Sequence, residues 1–168
     1  MRTGRLPSVM SRATHRFSQA PQAKVPRSTF DRSFAIKTTF DAGNLIPVYV
    51  DEVLPGDTFK LNMVGFSRLA TPIYPIMDNM FMESFFFFVP IRLVWDSWKK
   101  FNGERVKPTD NNDYLLPVLK DIEGGFAELS LFDYFGLPTK VPSLKNINVL
   151  PSRCFNLIYN EWFRDENL

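Results

Sequence analysis

The chain has 168 residues, of which 45% are apolar, so it is long enough and apolar enough to bury the core of one ordinary domain. Its 17 phenylalanines and 13 prolines are unusually many, and they favour a strand-rich fold of short elements joined by long connections. The single cysteine, Cys154, excludes an internal disulfide framework and fits a reducing compartment, where we expect a small buried hydrophobe. The first thirty residues lack the apolar core of a signal peptide, so we expect synthesis in a cytoplasm.

The charge is unevenly distributed along the chain. Residues 1–30 contain six Lys or Arg residues, His15 and no acidic residue, whereas the remainder holds 14 basic and 18 acidic residues. A basic segment containing Pro and Ser ahead of a mildly acidic body is typical of an arm that contacts phosphates, non-specifically and in a salt-sensitive way. The alternative is a solvated, disordered N-terminus. We assign residues 1–32 to an extended basic arm, with four candidate phosphate-facing residues: Arg12, Arg16, Lys24 and Arg27.

Three short strands are predicted after the arm. Residues 33–40 are rich in strand formers, and 45–50 follow across a turn; Pro47 places this second strand at a sheet edge or at a bulge. A tight turn at 54–57 has Pro and Gly in its central positions. In 58–63, Phe, Leu and Met alternate with polar residues, as in a strand with one buried face.

The most apolar stretch spans residues 80–90 and contains four consecutive phenylalanines at 85–88. Such a continuous run predicts a central strand covered on both faces, and it is far shorter than the ~20 apolar residues of a membrane-spanning helix. The apolar spacing then changes to that of one helical face, which predicts an amphipathic helix near 91–102 that ends at Gly103.

Two further helical segments are predicted. Residues 129–135 favour one or two helical turns ended by Gly136 and Pro138. Near 151–165 the spacing predicts an amphipathic helix with a wide aromatic face, and a proline near its start suits a first helical turn. Large aromatic side chains concentrate both in cores and at protein interfaces, and four in the predicted helices are candidates for either place: Trp95, Trp98, Trp162 and Phe163.

The residue types needed for catalysis or metal binding are scarce. His15 is the only histidine and Cys154 the only cysteine, so no metal cluster is predicted, and a small hydrolase would have to recruit His15 from the basic arm. No phosphate-binding glycine loop is present. Glu83 lies inside the apolar run, where a buried carboxylate needs a partner; we expect a structural ion pair with Arg92 or Lys60, or a subunit contact. We predict neither enzymatic activity nor a cofactor.

Several long blocks carry a family resemblance: VPRSTFDRS and KTTFDAGNLIPVYVDEVLPGDTF within residues 25–59, then ATPIYPIMDN, FFFFVPIRLVWDSWKKFNGE and LPSRCFNLIYNEWFRDENL. They resemble the major capsid protein of gokushoviruses, small single-stranded DNA phages of the Microviridae. The resemblance implies a mainly β fold with short helices, in which residues 33–168 form the N-terminal part of an eight-stranded antiparallel viral jelly roll. It also implies a non-enzymatic virion protein whose copies assemble into a T=1 icosahedral shell around single-stranded DNA.

The same resemblance extends to partners and to the arm. It implies other copies of the chain as the main partner, other virion proteins as further partners, no membrane, and synthesis in the cytoplasm of a bacterial host. The basic residues of the arm would face the packaged DNA. Capsid proteins of this family are several times longer, so we expect an incomplete jelly roll, from a truncated product or a fragmentary gene.

Two other departures concern single positions. The resemblance begins near Met10, so we expect residues 1–9 to be a dispensable extension of the start site. The family often has a histidine after the DRS motif, where this chain has Phe34.

A second class of function stays open on the residues alone. A free-standing β-domain could bind single-stranded nucleic acid through the basic arm, and its monomer would then show salt-dependent affinity. The capsid hypothesis predicts weak binding until subunits assemble.

Overall fold

The computed structural model describes three stretches of the chain: residues 26–110, 114–119 and 123–167. The chain divides into two compact units, Met1–Ala35 and Ile36–Leu168.

The described part of the first unit, residues 26–35, contains no helix or strand. The Asp31 carboxylate accepts hydrogen bonds from the backbone N–H and from the hydroxyl of Ser33. Both bonds favour the ionised carboxylate, so they lower the pKa of Asp31, against a small opposing effect of burial. The two bonds hold residues 31–33 in a local turn.

Helical structure in the second unit is short. A 3-10 turn at Ile91–Leu93 precedes α1 (Trp98–Phe101), α2 (Leu131–Tyr134) and α3 (Leu150–Ile158), and α3 continues directly into a π-helical segment at Tyr159–Phe163. Among the helices of the described residues, none has the length and apolar character that crossing a membrane requires.

The segment predicted as one helix near 91–102 consists of two separate elements. The 3-10 turn and α1 are joined by an irregular stretch at 94–97. Gly103 lies just beyond α1 with a φ of 85°, a left-handed conformation that glycine adopts without steric cost, and its N–H donates to the Lys100 carbonyl oxygen. The local stop signal at this glycine therefore acts as the sequence predicts.

The start of α3 is fixed by side chains on both sides of the first turn. Asn148 Oδ1 accepts a hydrogen bond from the Leu150 N–H, and the Ser152 hydroxyl donates to the Val149 carbonyl oxygen. Pro151 lies in the first turn, where its missing N–H leaves no helical hydrogen bond unmade. These features place the helix N-terminus next to the short pairing of 117–119 with 147–149.

The predicted mainly β fold, with residues 33–168 as part of an eight-stranded jelly roll, is wrong for this structure. Within the described residues, β-structure consists of two isolated bridges, Val118 with Asn148 (antiparallel) and Phe126 with Thr139 (parallel). The four predicted strands contain neither a strand nor a bridge: they are 33–40, 45–50, 58–63 and 80–90. A strand exists only through pairing with another segment, and β-propensity reports how side chains pack in such a pair rather than a backbone preference.

The two tight turns between those segments are confirmed. The Asn44 N–H donates to the Asp41 carbonyl oxygen at 3.4 Å, and the Asp57 N–H donates to that of Leu54 at 3.1 Å. Gly56, in the second turn, has a φ of 88°, as a type II turn requires of its third residue. Turn chemistry in this region is thus locally determined, even though the flanking segments do not pair.

The buried core lies where the turn at 91–93 meets α3. Val94, Trp95 and Leu150 are buried, and partly buried apolar side chains pack around them: Val89, Ile91, Trp98, Cys154 and Leu157. We call this set the helical core. Trp95 is 6% exposed, and its indole Nε1 donates a hydrogen bond to the Leu115 carbonyl oxygen at 3.3 Å, so its polar atom is satisfied.

A smaller cluster surrounds Phe126, which is 5% exposed. Its ring lies 4.6 Å from that of Phe132 in α2, and Ser130 caps this helix by accepting a hydrogen bond from the Asp133 N–H. Phe135, at the end of α2, contacts Phe155 of α3 edge-to-face at 6.1 Å. The aromatic contact therefore connects α2 to α3.

Candidate interaction surface

The sequence predicts no metal cluster, and the structure describes residues 26–110, 114–119 and 123–167. There, no group of three or more His, Cys, Asp or Glu side chains could hold a metal ion. His15 lies outside the described residues. Apolar and aromatic side chains are extensively exposed in the same part of the chain.

The predicted ion pair of Glu83 does not form within the described part of the chain, and its alternative role in a subunit contact stays a prediction. The residue is exposed, and the described residues show no ion pair between it and either Arg92 or Lys60. The prediction assumed that the apolar run at 80–90 is covered on both faces, which would have forced the carboxylate to find a partner. With most of that run exposed, water solvates the carboxylate instead.

A first aromatic group stabilises the helical core. The Trp95 ring lies 6.2 Å from Trp98, 5.3 Å from Phe101 and 6.2 Å from Tyr114, and Phe101 meets Tyr114 edge-to-face at 4.9 Å. Edge-to-face and tilted pairs at these distances contribute about 0.5–1.5 kcal/mol each beyond area burial. Trp95 and Trp98 therefore lie on the core side of the core-or-interface alternative.

A second aromatic group lies at the other end of α3. Phe163 meets Phe85 at 5.5 Å and Phe87 at 6.1 Å, both edge-to-face, and Trp162 lies 5.6 Å from Phe87. This group joins the phenylalanine run to the π-helical segment. Its most exposed member is Trp162, whose side chain is 71% exposed.

A groove runs alongside the second aromatic group. One wall comes from residues 87–93 and the other from 157–162, and the enclosed volume is about 410 Å³. Eight apolar residues and one carboxylate line it: Phe87, Phe88, Val89, Pro90, Leu93, Leu157, Ile158, Trp162 and Glu161. We call this feature the aromatic groove. Its chemistry suits an apolar side chain with a cationic group beside it, because Glu161 is the charged residue of its lining.

The predicted site residues have distinct placements. Trp95 is buried, Trp98 and Phe163 are half-buried, and Trp162 is exposed. Three of the four phosphate-facing candidates lie outside the described residues: Arg12, Arg16 and Lys24. The fourth, Arg27, is exposed. The structure therefore places Trp162 in the lining of the groove, Phe163 beside it against Phe85 and Phe87, and Trp95 with Trp98 in the helical core.

Sequence reasoning missed two contributors to this arrangement. Arg153 donates from Nη1 to the Val94 carbonyl oxygen at 2.9 Å and so joins α3 to the helical core. Tyr114 completes the first aromatic group. Neither position belongs to a periodic pattern or a motif that would have predicted its contact. For Arg153 the partner is a backbone carbonyl group, which every residue has, so the sequence does not identify the pair.

Apolar side chains are also exposed well away from the groove. Val64 is 92% exposed and Phe66 is 90% exposed, and residues 73–88 expose a run of large aliphatic and aromatic groups. Soluble monomers rarely expose contiguous apolar surface beyond a few hundred Å², and larger patches mark interaction sites. Exposed apolar surface of this kind is typical of proteins that associate with other macromolecules.

Comparison with known proteins agrees with that class. Residues 18–168 match the family described as capsid protein (F protein), and the chain belongs to this family. It is 52% identical to capsid protein VP1 of Bdellovibrio phage phiMH2K over 92% of this chain, and 51% identical to capsid protein VP1 of Chlamydia phage 1 over 98%. Capsid protein VP1 of Spiroplasma virus 4 is 33% identical over 96% of the chain.

These matches confirm the resemblance to the major capsid proteins of gokushoviruses and support a structural role in the capsid. The chain spans 28–29% of the length of the curated relatives it matches: 29% for the Bdellovibrio and Spiroplasma proteins and 28% for the Chlamydia phage protein.

Proposed function

We propose that this chain serves as a capsid-forming polypeptide of a small single-stranded DNA phage, with copies that associate into a T=1 icosahedral shell in the virion. It acts structurally and catalyses no reaction. The family match over residues 18–168 supports this proposal most strongly. The exposed aromatic groove and the exposed apolar run at 73–88 supply the kind of surface that subunit association buries.

Association is the property that tests this function. The chain is expressed in bacteria, and the lysate is separated on a density gradient and examined by electron microscopy. We expect the chain to enter a fast-sedimenting fraction that contains closed or partial shells. We also expect these shells to dissociate cooperatively into slowly sedimenting species. A chain that sediments as a monomer at every concentration contradicts the proposal.

We further propose that the basic arm contacts the packaged DNA and that Arg12, Arg16, Lys24 and Arg27 supply the cations. The charge asymmetry of the sequence supports this, since residues 1–30 carry no acidic residue. Contacts of Lys and Arg with phosphates release counterions, so the interaction weakens as salt rises.

The DNA proposal is tested by replacing the four cations with glutamine and measuring nuclease-protected DNA per particle. Particles should still form while their protected DNA falls. A matched variant replaces four cations outside the arm: Lys37, Lys60, Lys99 and Lys107. If the monomeric wild-type chain already binds single-stranded DNA tightly in low salt, free-standing nucleic-acid binding replaces packaging as the function.

A further inference from the structure

The aromatic groove has one charged residue in its lining, Glu161, at the exposed end of its apolar walls. Among the described residues, the Glu161 carboxylate takes part in no ion pair or side-chain hydrogen bond. Apolar surface with one uncompensated carboxylate matches an occupant that presents an apolar side chain and a cation on one face.

One segment of the chain presents such a face. Residues 64–69 (VGFSRL) lie outside any helix or turn, with Val64 92% and Phe66 90% exposed. In an extended conformation side chains alternate, so Val64, Phe66 and Arg68 lie on the same face about 7 Å apart. Within the described residues, the Arg68 guanidinium has no ion pair or hydrogen-bond partner.

The other face of this segment is already in contact with the same molecule. A Cβ added at Gly65 would lie 2.9 Å from the terminal methyl carbon of Met82, so the backbone at Gly65 approaches that side chain closely. Because Gly65 alternates with Val64 and Phe66, the face that carries the apolar residues and Arg68 is the one turned away from Met82.

Other exposed apolar segments match the groove less well. In 59–63, Lys60 alternates with the apolar residues and therefore lies on the opposite face. In 73–83 the charged residues are Asp78 and Glu83, which would repel Glu161. In 32–36, Arg32 already has an interaction partner. The pattern of an apolar pair followed by an available cation is thus met at 64–68.

We propose that residues 64–68 of one copy of this chain dock into the aromatic groove of a second copy, with Phe66 against Phe87 and Trp162 and with Arg68 paired to Glu161. This inference rests on the proposed function, which requires copies of the chain to associate, and it names the contact that joins them. Segment and groove are different surfaces of one molecule, so the contact is head-to-tail, the type that closes into rings when its rotation allows.

The head-to-tail geometry makes a mixing experiment decisive. In E161R the groove repels the Arg68 of its neighbour, and in R68E the segment repels the Glu161 of its neighbour. Each variant alone should therefore self-associate about tenfold more weakly than the wild type. When the two are mixed, the groove of each variant meets a segment of opposite charge on the other variant, so the contact forms again between E161R and R68E chains that alternate.

Association is measured by sedimentation velocity of each chain alone and of the equimolar mixture, with two affinity tags for co-purification. Lys60→Glu and Glu166→Arg are the matched controls, since both reverse an exposed charge away from the proposed contact. We expect the mixture, and neither variant alone, to associate as the wild type does into a complex that contains the two variants in equal amounts, while both controls associate on their own.

Three results would overturn the inference. Single variants that associate like a self-associating wild type would remove the contact and leave the capsid function standing. A mixture that fails to form the complex would show that the two residues do not face each other. If monomeric E161R melted at a lower temperature than the monomeric wild type, Glu161 would make its contact within one chain, and the groove would be covered by a segment of the same polypeptide. A wild type that stays monomeric would instead overturn the proposed function along with the inference.

Discussion

The guanidinium of Arg153 donates a hydrogen bond from Nη1 to the backbone carbonyl oxygen of Val94 at 2.9 Å, across 59 residues of sequence. Val94 is buried in the helical core, where water does not reach its carbonyl group freely. The bond therefore fixes α3 against the turn at 91–93 and satisfies a backbone acceptor that the turn itself leaves available.

Replacing Arg153 with leucine should destabilise the chain by about 1.5–3 kcal/mol, because a hydrogen bond from a charged donor is lost and the Val94 carbonyl is left without its partner. Urea unfolding followed by tryptophan fluorescence measures the change in the free energy of unfolding. Arg92→Leu serves as the control, since Arg92 is exposed. Equal unfolding midpoints for the two variants would contradict the assignment of a structural role to Arg153.

Trp95 and Trp162, one from each aromatic group, should respond differently to truncation. Trp95→Ala removes a buried ring and its hydrogen bond to Leu115, so we expect the free energy of unfolding to fall by about 3–5 kcal/mol. Trp162→Ala removes an exposed ring, so stability should change by no more than about 0.5 kcal/mol while self-association weakens. Urea unfolding and sedimentation velocity separate these effects. A large loss of monomer stability in the Trp162 variant would place that side chain in the core instead.

Cys154 provides a test of burial through pH. Desolvation raises the pKa of its thiol above the ordinary value of 9.0, outweighing a smaller opposing effect of its own backbone. Since the folded-state pKa exceeds the unfolded one, the stabilising contribution is complete below about pH 9 and is lost as the pH rises through the folded-state value. Stability should therefore decline on the alkaline side.

The reactivity of the same thiol follows from the same shift. At pH 8 the folded chain should react with a disulfide reagent more slowly than the urea-unfolded chain, because the thiolate is the reactive species and burial disfavours it. The control is Ser67→Cys in a Cys154→Ser background, which gives a thiol at an exposed position. If Cys154 reacted as fast as the thiol at position 67, the helical core would have to be open around it.

Alanine substitutions at two adjacent glycines distinguish the effect of a steric clash from the effect of backbone strain. Gly124 and Gly125 both have left-handed φ angles, 85° and 75°, so alanine at either position costs about 1–2 kcal/mol. A Cβ at Gly125 would also lie 2.5 Å from backbone atoms of Val141, whereas nothing lies within 4 Å of one at Gly124. We expect Gly125→Ala to be the more destabilising by about 1–3 kcal/mol in urea unfolding. Equal effects would show that strain alone acts at both positions.

What the sequence predicts well is local. The turns at 41–44 and 54–57 and the end of α1 at Gly103 follow from glycine and proline, whose backbone preferences act within a few residues. The helices lie in segments where the apolar spacing indicates a helical face, because that spacing reports which side of a helix is covered.

The sequence predicts poorly which segments of the chain pair with each other. The continuous apolar run at 80–90 shows that the side chains favour burial, but it does not identify a partner strand, and in the described residues none pairs with it. The predicted ion pair of Glu83 is wrong for the same reason, because it was inferred from the assumed burial of this run. Arg153 was missed for a related reason, since its partner is a backbone carbonyl that every residue possesses.

The proposed function requires that copies of this chain associate with one another. Sedimentation velocity of the purified wild-type chain over a hundredfold range of concentration, with and without single-stranded DNA, tests it most directly. We expect the weight-average sedimentation coefficient to rise with concentration towards ordered assemblies, with DNA binding that becomes strong only in the assembled species. A coefficient that stays at the monomer value throughout, together with tight salt-dependent DNA binding, would contradict the capsid account.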